Sequence, residues 1–364
     1  MQNRSDEVNA KLATLRAGLM EADAGGVRLR GTDWFTWITA GASPTVLLTA
    51  ETGVAEILVT LESAWVLTDE IEARRLEEEE LPSNFDLLVT PWAQPQEREA
   101  RVRDMTDGAI VLSDRPQAGE APLPHGWRRQ RRILLDSEIE RYRLVGRLAG
   151  EAMTEVLSRA EPGWKEYQLA GAGAEALWAR GLEPALTLAA GANRLPRYRH
   201  PTPTRERLGN QAMLVFCARK FGLFANLTRF VSFGPLSDAA AERHRHVREI
   251  EAAALQACNP GKRLDEIYRT LDHAYQTHGY PDAIREHHQG GLTGYLSREV
   301  IATPDTTDPL TEGMAVAWNP SVPGAKIEDT ILITPDGELE NLTYDPAWPH
   351  TTTQGRPRPL PLER

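Results

Sequence analysis

Twice in its second half the chain reads as a long amphipathic helix, an x-Pro-Gly break and another helix. In the first copy Tyr142, Val145, Leu148, Ala149, Ala152, Met153 and Val156 recur at helical spacing, Glu161-Pro162-Gly163 stops the run, and Trp164–Trp178 restarts it. In the second, Ala239–Cys258 ends at Asn259-Pro260-Gly261 and Arg263–His278 restarts. Proline stops a helix because it lacks an N–H and crowds the preceding turn, and glycine turns the chain at little steric cost. β-rich runs follow each pair: Met213–Ala218 with Leu223–Phe233, then Met314–Trp318 with Ile327–Thr334. A unit of two helices and antiparallel strands, used twice, restricts this half to a pseudo-symmetric α+β design.

The first part alternates differently. Leu12, Leu15, Leu19 and Met20 share one helical face, and Thr45–Thr49, Ala55–Val59, Trp65–Leu67, Asp86–Val89 and Ala109–Leu112 read as short strands, with a helix over Ile71–Leu81. That alternation predicts an α/β sandwich. Prolines 116, 122 and 124 gather in Ser113–Leu135, so the expected division is an N-terminal α/β domain over 1–130 and a second domain over 131–364. Arg128, Arg129, Arg131 and Arg132 are expected to be a solvated linker, His244 and His246 to lie on a helix surface, and the tail 346–364 to fray or to pack as extended strand. Ser137 and Glu140 are the expected capping pair of the second domain's first helix.

Composition excludes more than it assigns. The 364 residues carry a net charge of −11, which disfavours nucleic acid as a partner. No apolar run approaches the ~20 residues of a membrane span, and the start is polar. Two cysteines, Cys217 and Cys258, make no disulfide framework, so a reducing cytoplasm is expected. There is no Gly-Lys-Ser/Thr phosphate loop, no Gly-x-Ser-x-Gly elbow and no Cys-x-x-Cys pair.

Four stretches carry the chemistry: Gly222-Leu-Phe-Ala-Asn226-Leu-Thr-Arg229, His287-His-Gln-Gly-Gly291-Leu-Thr-Gly294, Trp318-Asn319-Pro320 and Lys326-Ile-Glu328-Asp329. Their order and flanks resemble the family of methionine aminopeptidase, prolidase, aminopeptidase P and creatinase, with its pita-bread fold. Arg30-Gly-Thr-Asp33-Trp-Phe-Thr-Trp-Ile-Thr39-Ala-Gly41 is similar to a turn of that family's N-terminal domain, which helps to close the pocket, often that of a partner subunit; a homodimer is implied.

Metal-binding relatives hold two divalent ions with two Asp, one His and two Glu, hard donors that offset the ions' charge. Aligned by the resemblance, the second Asp is Asn226 here, the His is Gly291 and the first Glu is Asn319. Only Glu328 remains. The first Asp position falls on Cys217 if the hairpin turn is two residues short, and on Val215 if it is not. An amide oxygen is a weak donor and brings no charge, so no metal and no cofactor are expected.

What remains can still move protons. The resemblance gives His200 the place of an acid/base group, with His288 and Glu328 beside it as catalytic candidates. Cys217, Asn226, His287, Arg298, Glu299, Trp318 and Asn319 are the candidate substrate-binding residues. Cys217 is read first as a buried thiol, Trp318 as core more readily than as a substrate platform, and Arg298–Glu299 equally well as a salt bridge. Three activities stay open: metal-independent C–N hydrolysis of a small peptide or amidino compound; a non-catalytic pocket for a small ligand or partner; and a metal-dependent Xaa-Pro peptidase with displaced ligands.

Overall fold

The structure is a computed structural model and describes residues 4–364. The chain folds into two compact units, one ending at Arg131 and the other Arg132–Arg364. Among the described residues no helix is long and apolar enough to cross a membrane.

The first unit is built on a six-stranded mixed sheet whose central strand, Gly26–Gly31, is buried throughout. Its neighbours are Thr52–Val59, antiparallel, and Val111–Ser113, parallel. Its Val27/Leu29 and Arg28/Arg30 faces alternate over only four residues between glycines, and the arginine face is buried by pairing with Glu56, Glu99 and Glu120. The expected strand at 45–49 is instead loop. Of the arginine cluster, Arg128 and Arg129 are exposed as expected, but His125–Arg131 is a helix rather than a linker and Arg131 is buried on the Asp33 carboxylate at 2.5 Å.

The second unit is mixed α/β with the doubled plan. Helices Asp136–Arg159 and Glu166–Trp178 pack on a sheet of Glu183–Gly191, Gln211–Lys220 and Leu223–Ser232; Asp238–Ala257 and Leu264–Thr277 accompany a second sheet centred on Ala315–Trp318 and Asp329–Ile333. The first helix buries Ile139, Tyr142, Val145, Ala149, Met153 and Val156, and each large apolar side chain so removed from water contributes roughly 1.5–3 kcal/mol before entropy is subtracted. Glu138, rather than Glu140, accepts the Leu135 N–H at the helix start. His244 is buried, edge-on to Phe230 and hydrogen-bonded to Gln211 at 3.0 Å, correcting the expected surface position. The tail does not fray. His350–Thr353 and Arg356–Pro359 form a hairpin, and Leu362–Glu363 adds a parallel strand beside Leu223–Ser232.

Two links join the sheets of this unit at the positions that matter for the site. Thr228 and Glu328 form an antiparallel bridge, and the Thr330 hydroxyl bonds both backbone groups of Asn226, at 2.8 and 3.1 Å.

Candidate functional site

A cavity of about 260 Å³ opens where the two sheets of the second unit meet. Its walls include Leu186, Leu188, Val215, Cys217 and Phe224, and its polar groups are His200, His288, Arg298, Asn319, Lys326 and Glu328.

The hairpin geometry decides what faces inward. Gln211–Lys220 and Leu223–Ser232 are joined by the two-residue turn Phe221-Gly222, both at positive φ (53° and 74°). That turn sets Cys217 opposite Asn226 and Val215 opposite Thr228. Residues two apart on a strand share a face, so Val215 and Cys217 both line the cavity. Burial pushes the Cys217 thiol up to about 12, with Glu328 adding to the effect, so no thiolate is available near neutral pH.

Glu328 is buried and accepts from the Arg298 guanidinium and, at 3.1 Å, from the Thr228 hydroxyl. Burial alone would raise its carboxyl, but the charges of Arg298 and Lys326 outweigh that and hold it below the usual range. Lys326 was not a predicted site residue. It lies two positions before Glu328, so strand alternation turns both side chains to the same side, a signal already present in Lys-Ile-Glu-Asp. Burial, followed by repulsion from Arg298, lowers the Lys326 amine, while Glu328 opposes the shift.

Three imidazoles border this chamber and an open outer cleft. His200 and His288 line both spaces, and His287 lines the cleft. His287 Nε2 is 2.8 Å from His200 Nε2 and 3.5 Å from Lys326 Nζ, and His287 Nδ1 contacts the His288 carbonyl oxygen. The loop is pinned from behind by buried Gln289, which donates to the His287 carbonyl at 2.6 Å and accepts from Tyr275 at 2.8 Å. All three rings are held below the ordinary imidazole range, by burial first and by neighbouring cations second; His288 falls to about 4.

Of the other predicted residues, Asn226 and Asn319 are buried, and each side-chain oxygen lacks a partner; Asn319 is part of the cavity wall and Asn226 is not. Asn226 donates its Nδ2 to Thr293 at 2.9 Å. Two predictions are corrected. Trp318 points into the core, donating to Cys258 Sγ at 3.1 Å, because it sits on a fully buried strand. Glu299 does not line the cavity; its backbone is held by Leu292 on the edge of the sheet.

The profile of metallopeptidase family M24 matches residues 140–335, more than half of the chain. The chain belongs to metallopeptidase family M24. An uncharacterized peptidase of Staphylococcus aureus (strain MW2) is 31% identical over 156 residues, 40% of this chain and 43% of that protein; the match spans less than half the length of such curated relatives. Among solved structures, the Xaa-Pro dipeptidase from Bacillus anthracis superposes with a TM-score of 0.77 at 20% identity, covering 93% of this chain and 98% of that one. The N-terminal domain of the FACT complex subunit SPT16 from Cicer arietinum has the same fold, with a TM-score of 0.68 at 14% identity over 94% of this chain and 96% of that one.

The donors around the cavity do not fit the family's pair of divalent ions. Among the described residues Glu328 is the single carboxylate on its walls, and it is already neutralised by Arg298. Lys326 and Arg298 put two side-chain cations where cationic metals would need anions. Gly291 has a φ of +146°, and a Cβ there would stand 2.1 Å from the Val300 carbonyl oxygen. A ligating side chain at position 291 is therefore barred by the local backbone.

Proposed function

We propose that this family member binds a small, carboxylate-bearing ligand of the dipeptide or amidino class and hydrolyses a C–N bond in it without a metal pair. The observation that carries this reading is the cavity's charge: Arg298 and Lys326 face one carboxylate, Glu328. That surplus of fixed positive charge in a low-dielectric chamber favours an anionic group on the ligand. The unpartnered oxygen of Asn319, on the cavity wall, is an acceptor for a ligand N–H group, since a buried acceptor left unsatisfied costs about 1–3 kcal/mol. His200, exposed at one edge and cavity-lining at the other, is the group placed to exchange a proton with solvent. The chain is expected to act as a cytoplasmic homodimer.

A thermal-shift screen of dipeptides and amidino acids, followed by product analysis of each hit, tests the reading. The expected result is stabilisation and turnover that survive chelator treatment. Turnover that appears only with two equivalents of a divalent ion would overturn it.

A second reading has its own support. The fold is carried by a subunit of a multiprotein complex as well as by peptidases, and the surviving carboxylate is tied up by Arg298. A non-catalytic pocket predicts hits that stabilise and are recovered unchanged.

A further inference from the structure

We propose that His200, His287 and His288 form a mononuclear site for one divalent ion of the zinc class, distinct in residues and position from the family's metal pair. Their candidate ligand atoms all lie within 4.8 Å of one another. The shortest separation is the 2.8 Å between His200 Nε2 and His287 Nε2. A tetrahedral ion with Zn–N bonds of 2.0–2.1 Å spaces its nitrogens about 3.3 Å apart, inside that range.

Convergence of three bases needs a reason, because no carboxylate hydrogen-bonds any of them among the described residues. His287 supplies one. Its Nδ1–H is directed at the His288 carbonyl, which leaves the Nε2 lone pair facing His200 Nε2, whose proton an ion would replace. A carbonyl behind the ring is the arrangement that orients ligating histidines. Imidazole nitrogens without thiolates or carboxylates suit zinc, copper or nickel rather than magnesium or calcium. Three protein ligands leave a fourth position open, and His200 opens the cluster to the outer cleft. One contact opposes the ion: Lys326 Nζ, 3.5 Å from His287 Nε2.

The inference does not rest on the proposed hydrolysis. It concerns the unliganded protein and is read without substrate. The two uses of the cluster exclude each other, because an ion occupies the lone pairs that proton transfer needs.

The test uses the full, untagged chain, stripped with chelator and titrated with Zn²⁺ by calorimetry and with Co²⁺ by visible absorption. One ion per chain is expected, with d–d bands of low-symmetry nitrogen coordination. His200→Gln, His287→Gln and His288→Gln should each weaken binding at least about tenfold, and His246→Gln, at a remote histidine, should not. Lys326→Met should tighten binding by removing the opposing charge. The wild-type Co²⁺ spectrum keeps the test valid if a variant fails to fold. No binding, two ions per chain, or affinity indifferent to the three substitutions would overturn the proposal. None of these readouts depends on turnover, so failure here leaves the hydrolase reading standing, and loss of that reading leaves this one.

Discussion

Glu328 and Asp329 are adjacent in sequence, buried, and turned in opposite directions. Asp329 enters a closed network. It pairs with Arg229 at 2.7 Å and Arg358 at 2.8 Å and accepts from Thr343 at 2.6 Å; Arg358 in turn donates to Glu251 at 2.8 Å. Glu328 enters an open chamber, where Arg298 answers it from the cavity wall and Lys326 shares the space. On the closed side Arg229, Asp329, Arg358 and Glu251 are paired with one another, as expected of a structural device. The open side carries unmatched charge and the unpartnered Asn319 oxygen, which a ligand can satisfy. One step of strand pleat separates the two roles.

The comparison breaks first if the closed side is dispensable. Arg358→Ala leaves Glu251 and Asp329 buried without their cation, so urea unfolding should show a loss of about 3–5 kcal/mol. A loss below about 1 kcal/mol would deny the network its structural role.

A pH titration sharpens it next. His244 lies on the closed side, near Arg229 and Ile327, and burial, aided by Arg248, holds its imidazole down at about 3. As pH falls below ~6.5 the unfolded chain takes up this proton and the folded one does not. The contribution is therefore complete above ~6.5 and is lost as pH falls toward 3. Between pH 6.5 and 5 the cost is about 2 kcal/mol at 1.36 kcal/mol per unit. His244→Gln should remove that share of the slope, and an unchanged slope would disprove the assignment.

Glu328→Gln should cost less, about 1–2 kcal/mol, because Arg298 keeps the Ser297 carbonyl at 2.6 Å and the cavity for solvation. A loss as large as that of Arg358→Ala would erase the distinction between the two sides. The smallest stability change belongs to His200→Ala. Exposed as it is, unfolding should shift within about 0.5 kcal/mol, while turnover of any substrate found falls on the order of 100-fold. Full turnover in that variant would remove His200 from the chemistry.

Much of the fold is legible in the sequence because helices of this length announce themselves by periodicity. The x-Pro-Gly stops place the helix pairs, and the hairpin Gly222–Arg229 places Asn226. The central strand Gly26–Gly31 goes unread because it is short and its Arg28/Arg30 face looks solvent-exposed until distant Glu56, Glu99 and Glu120 bury it. Trp318, open in sequence between core and substrate platform, is core, while Asn319 directly after it reaches the cavity; sequence shows the neighbourhood and not the side. Lys326 is legible by alternation with Glu328, yet it falls on none of the family's ligand positions, and a comparison confined to those positions passes over it.

The chain's own residues determined the doubled helix–strand plan, the family resemblance and the scarcity of acidic donors at the aligned positions, all of which are local in pattern or in identity. Tertiary structure alone decided that Arg298 meets Glu328 across 30 residues, that His200 meets His287 across 87, and that Arg358 from the tail reaches Asp329. Those meetings are set by strand register and by how the two sheets join. No periodicity encodes them, because the interaction falls off over a few ångströms of space while the sequence separates its partners by dozens of residues.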